Sequence, residues 1–418
     1  MSPNCPPNRP LIRPFTGLRP RSEDAAAIAA PPYDVLSSEE AREIAASKPL
    51  SFLHISKAEI DLSPEIDHYA PVVYAKSAEN LQRLIDSGAL VRDTSPCFYA
   101  YRLVMGGHVQ TGLVAAASVA DYDTNRIRKH EFTRPDKEDD RVRQIEALNA
   151  QTGPVLLAHP DSVEAERLIA QATTATPVAD VTADDGIRHT VWKIDDADTV
   201  SRISTVFNAM PNLYIADGHH RSAAASRVAA ARRGKNNSPD SAEFFLSVIF
   251  PAQQMRIMDY NRVVRDLNGL SVEAFIAAVG QRYVVTPSAS AVKPEKTGVC
   301  GMYLAGQWYH LAVLPELVPQ ENPVRRLDVS VLSEQILAPL LGIVDLRRDK
   351  RIDFVGGIRG LAELERRVNS GEMAVAFAMH PTQMAELMSV ADAGEVMPPK
   401  STWFEPKLAD GLVSHVLD

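Results

Sequence analysis

The stretch LYIADGHHRSAAA (213–225) constrains this chain more than any other. Tyr214 and Ile215 end a run of strand-type residues. The segment His220–Arg233 that follows is rich in alanine and arginine, both strong helix formers, and Gly234 stands where a C-terminal cap belongs. Gly218 between them allows a sharp turn. The pattern therefore predicts a strand, a tight turn and a helix over 212–234, with Gly218 at or next to the helix N-cap.

Such a corner is polar for a reason. The first turn of a helix leaves backbone N–H groups unpaired and carries the positive end of the helix dipole, which together make an anion site. Arg221 adds a forked guanidinium suited to phosphate oxygens. His219 and His220 beside that positive end are expected to be neutral and able to act as base or ligand. Asp217 is expected to cap the helix, bind a metal ion or orient a histidine.

Length and charge narrow the company the corner keeps. At 418 residues the chain is too long for one ordinary core, so two or three domains are expected. Its net charge of -9 argues against a general nucleic-acid binder. Cys5, Cys97 and Cys300 lie far apart and form no CxxC pair, which excludes a cysteine-rich zinc site or disulfide framework. The start, MSPNCPPNRP, has no apolar signal core, and no run of about 18 apolar residues occurs, so a cytoplasmic protein without membrane segments is expected.

The fold class is mixed α and β. Residues 1–20 are proline-rich and read as extended. Helices are predicted near 38–47, 73–88, 141–151, 162–173, 197–210, 329–341 and 381–392, the last with Pro381 in its first turn. Hairpins are predicted over 97–119, around Gly106-Gly107, and over 299–314. Strands are expected at 153–159, 188–194, 243–251 and 372–380, and an irregular loop over MPPKSTWFEPKLADG. The composition shift at 232–242 marks the best hinge and divides the chain into regions 1–235 and 236–418.

Further segments bring reactive side chains together. HEFTRPDKEDDR (130–141) holds His130 and Glu131, a pairing suited to general-base work, and Lys137 and Arg141, suited to phosphate oxygens. A solvated loop leading into a helix is the plainer reading of the same residues. RPFTGLRP carries Arg13 and Arg19, which either clamp an anion or belong to a structural strap pinned by Phe15. PPYDV mounts Tyr33 and Asp34 rigidly, and YNRVV offers Asn261 and Arg262. PPKSTWFEPK places Lys400, Ser401, Thr402 and Lys407 in a loop anchored by Trp403 and Phe404, read as a lid or phosphate contact. It lacks the preceding glycines of a Walker loop, and HExxH, GxSxG and GxGxxG are absent from the sequence.

Taken together, RPFTGLRP, PPYDV, KPLSFLHI, HEFT, DGHHR, YNRVV and MPPKSTWFEPKL resemble the bacterial and archaeal family known as domain of unknown function 1015. The DGHHR corner also looks like the phosphate-binding corner of the ParB/sulfiredoxin superfamily, which includes nucleotide-binding partition proteins, sulfiredoxins and an ADP-dependent kinase of free serine. The resemblance implies an α+β fold with a ParB/sulfiredoxin-like core and hairpin-containing flanks. It further implies ATP or ADP as cofactor and a phosphorylated small molecule such as phosphoserine as partner; phosphoryl transfer also calls for a metal ion, expected to be Mg2+ on Asp217. A homodimer is left open.

Three functions stay in play. The first is a phosphotransferase on a small hydroxyl metabolite, with Arg221 as clamp and Glu131 or a histidine as base. The second is a phosphoester hydrolase using the same groups on water. The third is a nucleotide-gated binding protein of ParB type, disfavoured because no helix-turn-helix region or basic face is visible in the sequence.

Overall fold

The computed structural model describes residues 9–235 and 240–418. The expected extended start over 1–8, and the part of the expected hinge at 236–239, lie outside the described residues. Two compact units form: the chain up to Met255 together with Pro406–Asp418, and the segment Arg256–Glu405. The division thus falls at 255/256 rather than 235/236. The reason is the strand Phe244–Pro251, which pairs antiparallel with His108–Ser118 and parallel with Val155–His159 and so belongs to the first unit's main sheet.

That sheet runs in the order Ile127–Arg128, Leu213–Asp217, Val155–His159, Phe244–Pro251, His108–Ser118, Phe98–Met105, Arg188–Ile194 and Ala179–Thr182, with Ile12–Arg13 paired to the end of His108–Ser118. Leu113, Ala115, Leu157, Ile215, Phe245 and Ile249 project from it into a core shared with Leu168, Phe207 and Ala225 of the flanking helices. A small sheet sews the unit's ends together. In it Ser414–Val416 lies between Gly17–Pro20 and Ala150–Gln151, and Leu90–Arg92 pairs with Gly17–Pro20.

The second unit is built on a six-stranded antiparallel sheet in the order Tyr283–Ser288, Gln307–Val313, Val299–Leu304, Val375–Met379, Tyr260–Val264 and Ile352–Gly356. The helix Leu361–Asn369 covers it, burying Leu364 against Val263, Tyr303, Trp308 and Ala376. The fold is therefore α+β, with a strand–turn–helix corner and hairpins on both sides of it. Among the described residues no helix is long and apolar enough to cross a membrane.

Local differences from the expected pattern have local causes. The helix expected from 141 starts at Pro135, because proline lacks the N–H that a first helical position leaves unused. The helix expected to begin at Pro381 starts at Met384, where Gln383 and Glu386 form a reciprocal cap. The segment expected as one helix over 329–341 is a short helix, Asp328–Leu332, followed by a wider turn at Ser333–Leu337. Trp403–Glu405, expected as irregular, pairs antiparallel with Arg256–Met258.

Candidate functional site

The strand Leu213–Asp217 ends at Gly218, and the helix His219–Arg232 starts immediately after it. Gly218 is the N-cap, with φ 97° and ψ 28°, a left-handed conformation that glycine adopts without steric cost. Having no side chain, it caps nothing, so the first-turn N–H groups stay available. The Gly218 N–H itself donates to Asp217 Oδ1 at 2.9 Å. The guanidinium of Arg221 folds back onto this turn. A Cβ placed on Gly218 would stand 3.0 Å from Arg221 Nε and 3.2 Å from Cζ and Nη2.

HEFT arrives at the same corner although 87 residues separate His130 from Asp217 (217 minus 130). The short strand Ile127–Arg128 pairs in parallel with Leu213 and Tyr214 and so delivers His130 and Glu131 to the helix start. The rings of His130 and His219 meet edge to face at 4.5 Å between centroids. The His130 backbone N–H points at His219 Nε2, 3.4 Å away, and the Glu131 carboxylate lies 3.8 Å from His219 Nδ1. With Nε2 accepting, the ring proton belongs on Nδ1, facing Glu131. Both His130 ring nitrogens are buried without a hydrogen-bond partner.

Burial holds both imidazoles neutral. It pushes His130 down to about 4, and it pushes His219 well below the ordinary range, reinforced by the neighbouring His130. Neutrality was expected from the helix dipole; burial is the larger cause. His130, Glu131 and His219 offer ligand atoms that all lie within 4.8 Å of one another, so this trio is able to hold a divalent ion.

Asp217, the expected metal ligand, sits instead among cations. Its carboxylate is 3.5 Å from Lys407 Nζ and 3.6 Å from Arg221 Nη2. Burial would raise its pKa, but Lys407 and Arg221 together hold it below the usual carboxylate range. Arg221 donates from Nη1 to the Pro154 carbonyl at 2.7 Å and lies 4.0 Å from Asp34. His220 accepts the backbone N–H of Arg134 at 3.1 Å, which ties the HEFTR loop to the helix rather than freeing the ring as a base.

Arg141 joins the corner's surroundings. Its guanidinium stacks over Tyr33 at 3.9 Å and grips Asp140 Oδ2 through Nε (2.9 Å) and Nη2 (2.6 Å). The other predicted cations do not converge. Lys137 donates to the Tyr69 hydroxyl at 2.8 Å. Arg19 forks onto buried Asp93 (3.0 and 3.1 Å), and Arg13 pairs with Asp240 while stacking 3.9 Å over Phe244. The strap reading of RPFTGLRP therefore describes these two arginines, since each guanidinium already has a carboxylate.

Lys400, Ser401 and Thr402 belong to the second unit. There the Lys400 carbonyl accepts from buried Arg262 at 3.0 Å, and Ser401 Oγ donates to the Pro398 carbonyl at 2.7 Å. Thr402 is half-buried beside them. YNRVV and PPKSTWF thus hold each other, with Tyr260 edge-on to Trp403 at 5.2 Å. Asp410, which the sequence reading passed over, is 2% exposed and lines a cavity with Arg221 and Arg141. A lone aspartate in LADG carries no local signal of this role.

Fold and site together define an α+β protein whose strand–turn–helix corner gathers two neutral histidines, a glutamate and a buried arginine. The family model described as "Protein of unknown function (DUF1015)" matches residues 12–330, and the chain belongs to that family. No curated protein matches it. Among solved structures it is similar to a conserved hypothetical protein from Pyrococcus furiosus, at 15% identity and TM-score 0.35, over 71% of this chain and 93% of that one. It is similar at 12% identity and TM-score 0.35 to a free serine kinase in complex with AMP, over 70% of this chain and 86% of that one. SbnI from Staphylococcus aureus, with a C-terminal truncation, gives 12% identity and TM-score 0.36, over 71% and 85%.

Proposed function

We propose that the chain is a phosphotransferase that moves a phosphoryl group from an adenine nucleotide to the hydroxyl of a small metabolite of the serine or phosphoserine type. The observation that carries the reading is the meeting of His130 and Glu131 with His219 at an uncapped helix start, with Arg221 folded onto the turn. Phosphoryl transfer asks the protein for a cationic clamp and a positioned base rather than for covalent chemistry. Arg221 keeps its proton and serves as clamp, together with the first-turn N–H groups. Glu131, half exposed at the edge of the trio, is the group assigned to take the hydroxyl proton as the oxygen attacks phosphorus and the bond to the nucleotide breaks. Neutral His219 presents its Nδ1–H towards the Glu131 carboxylate, 3.8 Å away. A divalent ion held by His130, Glu131 and His219 would take the Glu131 oxygen and a His219 lone pair as ligands, so it would exclude the base role given to Glu131 here, whereas Asp217 is engaged by Lys407 and Arg221.

Calorimetry with ADP and ATP, and phosphorus NMR of mixtures containing serine, test the reading. Arg221→Ala should weaken nucleotide binding by about 10- to 100-fold, the worth of a charge-assisted contact of roughly 1.5–3 kcal/mol. Glu131→Gln keeps the shape, so it should cut turnover while leaving nucleotide affinity nearly unchanged. Release of inorganic phosphate from phosphoserine without nucleotide would replace the phosphotransferase by a hydrolase. Parent-like binding and turnover in Arg221→Ala would remove the helix-end site altogether.

A further inference from the structure

His130 is a buried polar group for which phosphoryl transfer by Glu131 and Arg221 has no use. It is 2% exposed, and neither of its ring nitrogens has a hydrogen-bond partner. A buried imidazole left in that state is costly, and an ion on its lone pair removes the cost. Its ring meets that of buried His219 with the planes 89° apart and the centroids at 4.5 Å. Half-exposed Glu131 adds a carboxylate 3.8 Å from His219 Nδ1. One donor atom from each of the three residues lies within 4.8 Å of the other two. Around a tetrahedral ion with bonds of about 2.0–2.1 Å, donor atoms stand about 3.4 Å apart, so a turn of the Glu131 side chain and a slight closing of the rings complete the set. The parallel pairing of Ile127 and Arg128 with Leu213 and Tyr214 holds the two histidines in register for it.

The donor types select the ion. Mg2+ prefers an octahedron of oxygens and parts with its waters reluctantly, whereas two imidazoles and one carboxylate suit Zn2+, Co2+ and their neighbours. Three protein ligands leave a further position for water or a phosphate oxygen. We propose that His130, Glu131 and His219 bind a zinc-class divalent ion, and that this ion halts phosphoryl transfer by occupying the carboxylate assigned as base. Ligation through His219 Nδ1 moves that ring's proton to Nε2 and gives up the contact from the His130 backbone N–H, which at 3.4 Å is a weak one. The ion and the substrate proton thus compete for one carboxylate. The inhibition rests on the phosphotransferase reading, whereas the metal site stands without it.

The full chain, stripped with a chelator, would be titrated with Co2+ and its visible spectrum followed, then with Zn2+ by calorimetry in excess Mg2+. One ion should bind per chain, with the spectrum of nitrogen-ligated Co2+, and Mg2+ should not displace it. Loss of a supporting group around a metal costs about 10- to 100-fold in affinity, so His130→Asn, His219→Asn and Glu131→Gln, each lacking a ligand, should weaken Zn2+ binding by at least about 100-fold. If His130→Asn fails to fold, the Co2+ spectrum of the parent and the Glu131→Gln titration decide. Absence of a single site, displacement by Mg2+, or parent-like Zn2+ affinity in the folded variants would overturn the site. In phosphoryl-transfer assays with Mg2+ and nucleotide, Zn2+ should slow turnover in step with occupancy of the site, and a chelator should restore it. Turnover unchanged at full occupancy would overturn the inhibition, and turnover raised by Zn2+ would overturn it together with the base role of Glu131. A Zn2+ site in a chain that transfers no phosphoryl group under any of these conditions would remove the phosphotransferase reading and leave the site standing.

Discussion

Gly218 is the residue on which the corner turns. Its φ of 97° lies where an L side chain is strained by roughly 1–2 kcal/mol, and a Cβ there would press on the Arg221 guanidinium at 3.0–3.2 Å. Gly218→Ala should therefore cost about 1–2 kcal/mol in urea unfolding and also weaken phosphate-ligand binding, because the arginine has to move. Loss of stability with ligand affinity unchanged would show that Arg221 does not act from this position. The glycine and the arginine were both legible in DGHHR, since a sharp turn before a helix restricts what stands there. Their contact was not, because it depends on which rotamer the packing of Pro154 and Asp34 allows.

At the scale of elements, strands and helices carry titratable groups into places that water does not reach. His189 of strand Arg188–Ile194 and His415 of strand Ser414–Val416 are both pushed down to about 4 by burial, as is His130. An unfolded chain takes up a proton on each near pH 6.5, whereas the folded chain does not until about pH 4. The unfolded state then binds more protons, so stability should be intact above pH 6.5 and fall steadily as pH drops towards 4. His189→Gln, which keeps a polar group beside the Tyr101 hydroxyl, should reduce that slope by about 1.36 kcal/mol per pH unit. Unfolding by urea at stepped pH measures it, and an unchanged slope would mean that His189 titrates alike in both states. The element types themselves were legible from alternation and capping residues, as at Ser37, where Glu40 completes a reciprocal cap. The early start of the helix at Pro135 was not legible, because the wholly charged run 136–141 has no apolar residues at helical spacing to mark its first turns.

At the scale of the whole molecule, the C-terminal segment Pro406–Asp418 belongs to the first unit although 150 residues, from Arg256 to Glu405, intervene. It supplies Lys407 to Asp217, Asp410 to the cavity and the strand Ser414–Val416 to the small sheet. Removing 406–418 should therefore lower the thermal midpoint of the first unit. Circular dichroism on the truncated chain checks this, and a truncated protein that melts like the parent would deny the segment its place. By itself the sequence determined the α+β class, the strand–turn–helix corner and the residue types suited to an anion, because propensity, capping and turn geometry act over a few neighbours. Only the tertiary structure decided which cations were already spent on carboxylates, as Arg13 and Arg19 are, and that His130 meets His219 while Asp410 faces Arg221. Such pairings depend on sheet order and burial, and hydrogen bonding and charge balance across a sheet leave no trace in the spacing of residues along the chain.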